Sequence, residues 1–540
     1  MPVKQGWKSR GFWPSIMAEW ELIPNLFEKM APVRHCFSSS TRPAVSLFVF
    51  TVALLFAPLA QAAIIRGVVT DFMTGKPVAR ASINIEAVGS TIYQLPNPVL
   101  TDSNGQFSVS SLNPGAYLLS ASKKGFVRSR YGQREWNSPG TPIALERDSL
   151  FSATLQMHRP GAVMGEILDE NHLGLPNMMV YAWKAGRTLK VAATSETDDR
   201  GYFRIAGLAP GRYYIRTGAR ELEDHQGLLP TFLGGVTRSA EATPVDVKLD
   251  QEVTKVTIEP RQGRLSNLRG MVTGGPPGKV ILYTDTGKFA TMANPDGSFA
   301  LDQLAPGEYD LLAESGAGPG LLAAQTHLVL SKERENAVLQ LIPAPQLQVR
   351  CEASGAKQLS IPGVSIFIRR REESADSPSQ RVTCGENLPL LPGRWELAAA
   401  APPDMFVVEI RNAIAVGDSY DVHVNSGQAR EVTIVFDSQP GTLSGKVSTI
   451  DGVAAIGAPV FLNAVDADLR SRLGGVRMVR SNDKGEYLFN GLAPGKYEVI
   501  SSFDIQDPGE AHWPLGAGRS AMIDQNGKSQ LDISVQEIRQ

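Results

Sequence analysis

The sequence contains few cysteines and almost no net charge. Its 540 residues include three cysteines, which are too few for a scaffold built on disulfides. Lysine and arginine total 53 against 55 aspartate and glutamate residues, a formal net charge of -2. A nucleic-acid-binding domain usually shows a basic patch or stripe, so the composition predicts no nucleic-acid partner.

Histidine is also scarce, and its spacing excludes one class of metalloenzyme. A zinc carboxypeptidase site needs an H-x-x-E pair and a distant histidine, which leave one coordination position open. The residues three positions after the histidines of the mature chain are Gly161, Leu175, Leu228, Leu330, Ser426 and Leu515, and H-E-x-x-H does not occur. The sequence therefore predicts no catalytic residue, no metal ligand and no cofactor.

A single long apolar run lies near the N-terminus. Residues 44–63 carry no charge and end in small residues, with Ala62 closing an A-x-A cleavage pattern. We interpret the run as a signal peptide cleaved near Ala62 and Ala63, which predicts export to the periplasm, outer surface or medium. Residues 1–29 are too long for the start of such a peptide, and we interpret them as a misassigned gene start. An uncleaved membrane anchor is the alternative; no span is expected in the mature chain.

The rest of the chain repeats one glycine-led motif. Its first copy is DSNGQFSVSSLNPGAY at residues 102–117. The complete copies have their leading glycine at Gly105, Gly201, Gly297 and Gly485. In each copy the glycine is followed, at the same distances, by two strand residues, a leucine, a Pro-Gly pair and a tyrosine. A degenerate fifth copy has Thr383 in place of the glycine and Trp395 in place of the tyrosine. Five copies indicate an array of similar domains.

Each position of the motif has a physical role. Asp or Asn three residues before the glycine favours a type I turn, and apolar residues two apart point to one face of a strand. The Pro-Gly pair suits a type II turn. The tyrosine that follows is expected to bury its ring and to place its hydroxyl near the turn backbone, as in a tyrosine corner. The motif therefore predicts turn, strand, turn and strand.

The whole mature chain reads as β-structure. Four of the repeats open with a strand that contains a glycine, namely Gly67, Gly165, Gly270 and Gly445, and such a glycine marks a bulge or a close backbone approach. Further alternating runs give about seven strands per repeat, with almost no helical periodicity.

The predicted fold class is all-β, a tandem array of five small antiparallel β-sandwich domains, Ig-like or prealbumin-like, after an N-terminal signal segment. The expected divisions are a leader at 1–63 and domains at 64–158, 159–261, 262–343, 344–439 and 440–540, of which the fourth is degenerate. Because the linkers are short, we expect a semi-rigid rod.

The repeat resembles a known family. The repeat pattern consists of Gly-x-Val in the first strand, a proline before the second strand and then D-x-x-G-x-F-x-h-x-x-L-x-P-G-x-Y. This pattern resembles the carboxypeptidase regulatory-like domain, a prealbumin-like (transthyretin-like) sandwich. The pattern is also similar to collagen-adhesin B-type repeats and to the carbohydrate-binding-like fold. The resemblance covers residues 64–540 and is weakest in the fourth copy. It implies an exported bacterial protein with a binding or structural role and no assigned reaction.

Two groups of residues are candidate sites. Cys351 and Cys384 lie in the degenerate repeat, where a disulfide would compensate for the lost turn in an oxidising compartment; two buried free thiols are the alternative. The loop at 124–142 is long for a connection between strands. Its candidate ligand-binding residues are Phe126, Arg128, Tyr131, Arg134 and Trp136, since rings could stack on sugars while guanidinium groups donate hydrogen bonds. The alternative, which we favour, is that these aromatics pack against the sandwich.

Three functions fit the sequence. The leading hypothesis is a non-enzymatic binding or scaffold protein of the cell envelope, whose partner is a glycan or another envelope protein. The second is a purely structural or adhesive spacer rod. The third is a regulatory partner of a separate peptidase. The fold itself does not choose among them.

Overall fold

The alternating apolar residues of the repeats form the inner faces of β-sheets. The computed structural model describes residues 63–88, 98–136, 138–186, 189–222, 226–284, 287–331, 334–354, 363–372, 377–505 and 517–538. The expected signal peptide, including Ala62, lies outside these residues, whereas Ala63 begins the first strand and is buried. Pairs of sheets close over five main hydrophobic clusters, and we call each pair with its cluster a unit.

Unit 1 contains one sheet of order β4-β1-β8 and a second of order β3-β2-β5-β6, in which β7 also pairs with β5. Its strands are β1 (Ala63–Asp71), β2 (Ser82–Ala87), β3 (Val99–Leu100), β4 (Gln106–Leu112), β5 (Gly115–Ser122), β6 (Ser129–Arg130), β7 (Ile143–Leu145) and β8 (Leu150–Met157). Ile65, Phe107 and Tyr117 are among the residues of its core.

Unit 2 contains strands β9 (Gly161–Ile167), β10 (Met179–Lys184), β11 (Lys190–Glu196), β12 (Tyr202–Leu208), β13 (Gly211–Thr217), β14 (Arg220–Glu221), β15 (Gln226–Leu228), β16 (Pro244–Val247) and β17 (Glu252–Ile258), with a 3-10 turn at Ser239–Glu241. The sheet orders are β12-β9-β17 and β11-β10-β13-β16. A third, small sheet of order β14-β15-β18 includes β18 (Gln262–Arg264), which belongs to the connection to unit 3.

Unit 3 contains β19 (Ser266–Thr273), β20 (Lys279–Thr284), β21 (Gly287–Met292), β22 (Ser298–Leu304), β23 (Gly307–Ser315), β24 (Leu322–Leu330), β25 (Arg334–Gln340) and β26 (Ile342–Pro343), with a 3-10 turn at Gly318–Gly320. The sheet orders are β22-β19-β25 and β21-β20-β23-β24-β26.

Unit 4 contains β27 (Gln346–Ala353), β28 (Ser365–Arg370), β29 (Gln380–Val382), β30 (Asn387–Pro389), β31 (Gly393–Ala400), β32 (Phe406–Arg411), β33 (Ile414–Val416), β34 (Ser419–Val424) and β35 (Arg430–Asp437). The sheet orders are β30-β27-β35-β32 and β29-β28-β31-β34-β33.

Unit 5 contains β36 (Gly441–Ser448), β37 (Pro459–Ala464), helix α1 (Ala467–Leu473), β38 (Arg477–Arg480), β39 (Glu486–Leu492), β40 (Gly495–Ser501), β41 (Arg519–Ile523), β42 (Lys528–Gln530) and β43 (Ile533–Ser534). The sheet orders are β39-β36-β42, with β43 also paired to β36, and β38-β37-β40-β41. Helix α1 begins after Asp466, whose carboxylate accepts a hydrogen bond from the Leu469 amide, and ends at Gly474 in the left-handed conformation.

The all-β sandwich class is confirmed, and the structure adds one feature to it. The first strand of each unit lies at the centre of a sheet, antiparallel to the motif strand but parallel to a strand near the end of the unit; β1, for example, aligns Ile65 with Val109 of β4 and with Phe151 of β8. A parallel pair needs a crossover connection, and the second sheet supplies it. The domain limits near 159, 262, 344 and 440 stay a prediction.

The tyrosine corner is confirmed in all four complete repeats. The hydroxyl groups of Tyr117, Tyr213, Tyr309 and Tyr497 each donate to the carbonyl oxygen four residues earlier, at 2.9, 2.7, 2.7 and 2.7 Å. In unit 4 the indole N–H of Trp395 donates to the Leu391 carbonyl at 2.9 Å in the same way. Burial raises the pKa of Tyr213 to about 12, so its hydroxyl keeps the proton that it donates.

The turns of the motif differ in how well the sequence predicts them. In the leading turn, the Asp102 carboxylate accepts hydrogen bonds from the amides of Asn104 and Gln106, both at 2.8 Å, which is a capping role. The type II prediction for Pro-Gly is wrong, because Gly115 has φ 156 and Gly211 has φ 147, far from the value near +80 that such a turn requires. The glycine is instead the first residue of the next strand.

The first-strand glycines allow a close approach. A Cβ built on Gly165 would lie 1.9 Å from the Val256 carbonyl oxygen of the parallel neighbour. In unit 1, a Cβ on Gly67 would lie 2.5 Å from the Phe107 ring. The glycine and the aromatic residue of the motif are therefore one packing feature, in which the ring covers the space left by the absent side chain.

Unit 4 has lost that pair and contains a disulfide. The sulfur atoms of Cys351 and Cys384 are bonded, and their Cα atoms are 5.5 Å apart. Cys351 is a core residue of β27, and Cys384 precedes Gly385, which has φ 83. Gly385 supplies the turn glycine two positions after Thr383, so the bond ties a shortened turn to the central strand.

Consecutive units are held by specific contacts. Between units 1 and 2, the Arg159 guanidinium donates to Asp71 at 2.8 Å and the Arg159 amide donates to Asp250 at 2.7 Å. The connection from unit 2 to unit 3 is paired as β18 with β15. Between units 3 and 4, the Arg370 guanidinium lies 4.6 Å from the centre of the Tyr283 ring.

Units 4 and 5 share a larger junction, which is organised by α1. The Tyr420 hydroxyl of unit 4 donates to Asp468 of α1 at 2.9 Å, and the Ser471 hydroxyl donates to the Gly417 carbonyl at 2.8 Å. Phe406 of unit 4 belongs to the hydrophobic cluster of unit 5. These two units therefore pack as a pair.

Unit 5 also contacts unit 1, which a rod with contacts only between consecutive units would not allow. Arg134 of unit 1 forms an ion pair with Glu537 of unit 5 at 2.7 Å. The backbone of Gly457 packs so closely on unit 1 that a Cβ there would lie 2.8 Å from Val88. The chain thus returns on itself. Among the residues that the structure describes, no helix is long and apolar enough to cross a bilayer.

Candidate functional site

The loop at 124–142 is held to unit 1 at both ends. Its short strand β6 and the following β7 both pair with β5, and the Tyr131 amide donates to the Leu119 carbonyl at 2.9 Å. Farther along, the Thr141 amide donates to the Tyr131 carbonyl at 2.8 Å. The described residues of the loop, 124–136 and 138–142, therefore have a defined backbone, and their side chains are divided between the core and the surface.

Two of the five candidate ligand-binding residues pack against unit 1. Phe126 and Tyr131 are partly buried against the core cluster. The Tyr131 ring meets Phe151 edge to face with centroids 5.4 Å apart, and the Arg159 guanidinium lies 5.0 Å from the centre of the Phe126 ring. For these two aromatics the structure favours the packing role.

The other three candidates line an open groove between units 1 and 2. The groove has a volume of about 1080 Å³, and its walls include Arg128, Arg134, Trp136, His158, Lys248 and Asp250. Trp136 is half-buried, whereas Arg128 is exposed. The structure thus brings the Trp136 ring and three arginines of the loop, Arg128, Arg130 and Arg134, to a concave surface, together with residues of unit 2.

The base of the groove is the clamped connection between the two units. The His158 ring nitrogen lies 2.6 Å from Asp250, which also accepts the Arg159 amide. The Phe72 and His158 rings pack with centroids 4.2 Å apart. The hydrogen bond from Arg159 holds the pKa of Asp71 below its usual value, aided by two backbone amides and opposed by burial. The two walls are therefore connected by charge-assisted bonds and not by a free linker.

A smaller cavity continues from the groove towards unit 5. It has a volume of about 260 Å³ and is lined by Arg134, Glu135, Asp504, Glu537 and Ile538. Asp504 is buried and accepts a hydrogen bond from the Ile538 amide at 3.0 Å. The Arg134 charge is thus largely compensated by unit 5.

The groove wall that belongs to unit 1 carries two arginines that lie close together in sequence. Arg128 and Arg130 flank the buried Ser129 in sequence and both line the groove. Burial lowers the pKa of Arg130, and the charge of Arg128 lowers it further, while Glu86 opposes the shift. The guanidinium of Arg130 also donates to the Ser138 carbonyl at 3.1 Å.

Sequence reasoning missed the residues that unit 2 contributes. Lys248 and Asp250 lie in the turn before β17, and Asp250 has a left-handed backbone with φ 56. Its partner His158 is 92 positions away in the sequence. No local pattern indicates such a pairing; the only sequence signal was the position of His158 at the expected boundary near 159.

The described part of the chain offers no assembled metal centre. Among those residues, no group of three or more His, Cys, Asp and Glu side chains could hold a metal ion. The lining of the open groove includes the Trp136 ring, cations and hydrogen-bonding groups.

A family model for the carboxypeptidase regulatory-like domain matches residues 64–145. The match covers β1 to β7 of unit 1 and confirms the resemblance seen in the repeat motif. No curated protein matches the chain.

Several solved structures are similar to the chain. A minor pilin of Streptococcus agalactiae has 15% identity and a TM-score of 0.24, over 37% of this chain and 96% of the pilin. The major pilin of Bacillus cereus has 11% identity and a TM-score of 0.15, over 52% of this chain and 99% of the pilin. The full-length major pilin of Streptococcus pneumoniae has 7% identity and a TM-score of 0.16, over 88% of this chain and 99% of the pilin. At these TM-scores the whole chains do not superpose.

Proposed function

We propose that this chain, whose first unit matches the carboxypeptidase regulatory-like domain, is a non-enzymatic exported scaffold protein of the cell envelope that binds carbohydrate. The observation that carries the proposal is the groove between units 1 and 2, where Trp136 and the neighbouring arginines line a volume of about 1080 Å³. A partly exposed indole beside hydrogen-bond donors suits the apolar face and the hydroxyl groups of a sugar ring.

The shape of the groove supports an extended ligand. Deep, enclosed cavities that bury most of a small ligand are typical of cofactor and drug sites. Here the groove is open and continues into the cavity at Arg134 and Asp504. An oligosaccharide segment could lie along it.

The disulfide in unit 4 supports export. Disulfides persist in oxidising compartments and are rare in the cytosol of most cells, and the bond between Cys351 and Cys384 closes a unit that has lost the glycine of its motif. Together with the leader expected from residues 44–63, this favours the periplasm, outer surface or medium.

The two alternative functions differ in the surface that each of them requires. A simple spacer needs no groove, and the clamps at Arg159 and at α1 serve a spacer as well as a scaffold. A regulatory partner of a separate peptidase would require a protein-binding face. If the groove residues bind no ligand, the spacer function is favoured. If a peptidase co-purifies with the chain, the regulatory function is favoured.

Replacing Trp136 by alanine is expected to weaken binding of an oligosaccharide about tenfold, equivalent to 1.4 kcal/mol, because the ring that stacks on the sugar is removed. The melting temperature should change little, since the indole is only half-buried. Purified residues 64–540 would first be screened on an array of neutral and acidic glycans, and the affinity of each variant for the bound glycan would then be measured by calorimetry.

Trp183 provides the matched control. It is another half-buried tryptophan, on the outer face of β10, with its ring 6.3 Å from that of Tyr181. Trp183→Ala should leave affinity unchanged. If Trp136→Ala instead lowers the free energy of unfolding by about 3 kcal/mol without changing affinity, the ring is a packing residue and the groove is not the binding site.

A further inference from the structure

The groove combines an aromatic ring with excess positive charge, and we infer that its carbohydrate ligand is acidic, a polysaccharide whose sugars carry carboxylate groups. The inference rests on the proposed function and adds the chemical class of the ligand. The rest of the chain makes the charge of the groove unusual, because the formal net charge of all 540 residues is -2.

The charge excess comes from cations on opposite walls. Arg128 projects from unit 1 and Lys248 from unit 2, and both line the groove and are exposed. Within the described part of the chain, neither side chain forms a hydrogen bond or an ion pair. By contrast, the Asp250 carboxylate at the base is already bonded to His158 and to the Arg159 amide, which leaves the exposed Glu135 as the other carboxylate of the lining.

The neighbouring charges are arranged so that an anion would relieve a repulsion. Arg128 and Arg130 lie close enough that the charge of Arg128 lowers the pKa of Arg130. An anion near both would offset that repulsion, and guanidinium groups bind carboxylates in a two-pronged geometry. A neutral sugar could accept hydrogen bonds from the same groups but would not offset the repulsion between Arg128 and Arg130.

The ring distinguishes an acidic sugar from other anions. Trp136 lines the same groove as the two cations. A pyranose ring offers it an apolar face, whereas a simple inorganic anion does not. A polyuronate is therefore the ligand class that uses both features of the groove.

The test compares two short oligosaccharides of equal length, an oligogalacturonate and a neutral maltooligosaccharide, on purified residues 64–540. The oligogalacturonate is expected to bind more tightly, and its affinity should fall when salt rises from about 0.05 to about 0.5 M, because exposed charges are screened over shorter distances. Arg128→Gln and Lys248→Gln should each weaken it about fivefold to tenfold, as for charge-assisted hydrogen bonds. Arg381→Gln, at an exposed arginine of unit 4, should have no effect.

The outcomes separate this inference from the proposed function. In one outcome the two sugars bind with equal affinity, with Arg128→Gln leaving the affinity unchanged and Trp136→Ala lowering it. That result would support carbohydrate binding and overturn the acidic ligand. Failure of both sugars and of a glycan array would overturn both. Dextran sulfate serves as a charge control: if it competes fully and Trp136→Ala has no effect, the groove is a nonspecific polyanion site and the acidic-sugar assignment fails.

Discussion

Replacing Glu396 by leucine is expected to lower the free energy of unfolding by about 3–5 kcal/mol, the cost of removing one partner of a buried ion pair. Glu396 and Arg369 lie opposite each other on β31 and β28, with their side chains 6% and 2% exposed and an N–O distance of 2.7 Å. Glu396 also accepts a hydrogen bond from the Ser419 hydroxyl at 2.7 Å. Leucine would fill the space but leave the Arg369 charge without its carboxylate in a dry environment. Denaturant unfolding of residues 64–540 would measure the loss.

Two comparisons make this prediction specific. The double variant Arg369→Met with Glu396→Leu should recover most of the stability, because neither charge of the buried pair remains. Glu252→Leu should cost less than about 1 kcal/mol, since its pair with Arg204 has both side chains 50% exposed. Equal losses for Glu252→Leu and Glu396→Leu would contradict the burial of the unit 4 pair.

Removing the disulfide is expected to destabilise unit 4 by roughly 3–4 kcal/mol, the loop-closure entropy for a separation of this size. The bond joins residues 33 positions apart, and the loop between them includes β28 and β29. Cys384→Ser, or reduction of the wild type, should therefore lower the unfolding midpoint of unit 4.

The small number of cysteines makes the disulfide easy to test. The third cysteine, Cys36, lies before residue 64, so residues 64–540 contain only Cys351 and Cys384. A thiol assay on the unfolded, unreduced protein should find no free thiol. Two free thiols would refute the bond, and an unchanged midpoint after reduction would show that it does not stabilise the unit.

The features that the sequence predicted well are local ones. The motif spacing predicted the tyrosine corner, because the hydroxyl of Tyr213 needs only the carbonyl of Ala209, four residues before it. The glycine of the first strand predicted a close approach of a neighbouring strand in the same way. At Gly165 a Cβ would collide with the Val256 carbonyl oxygen, so only glycine fits there. Patterns of this kind depend on short stretches of chain.

The features that the sequence did not predict depend on distant residues. The parallel pairing of β1 with β8 joins the two ends of a unit, and the groove depends on Asp250 meeting His158. Helix α1 is too short to show a helical period, although Asp466 and Gly474 provide both of its caps. The contact of Arg134 with Glu537 results from the surfaces of two units, which have no common sequence pattern.

The parallel pairing of the first strand, β1, with the last strand of unit 1, β8, also determines how the unit carries mechanical load. Tension enters a unit at the start of β1 and leaves at the end of β8, so it pulls these neighbours past each other and loads their hydrogen bonds together. If the two strands were instead antiparallel, with both pulled ends at the same end of the pair, tension would break their hydrogen bonds one at a time. The exposed ion pair of Arg134 and Glu537, which is weak as surface pairs are, would open first. In single-molecule stretching the chain should therefore lengthen at low force before any sandwich unfolds at high force.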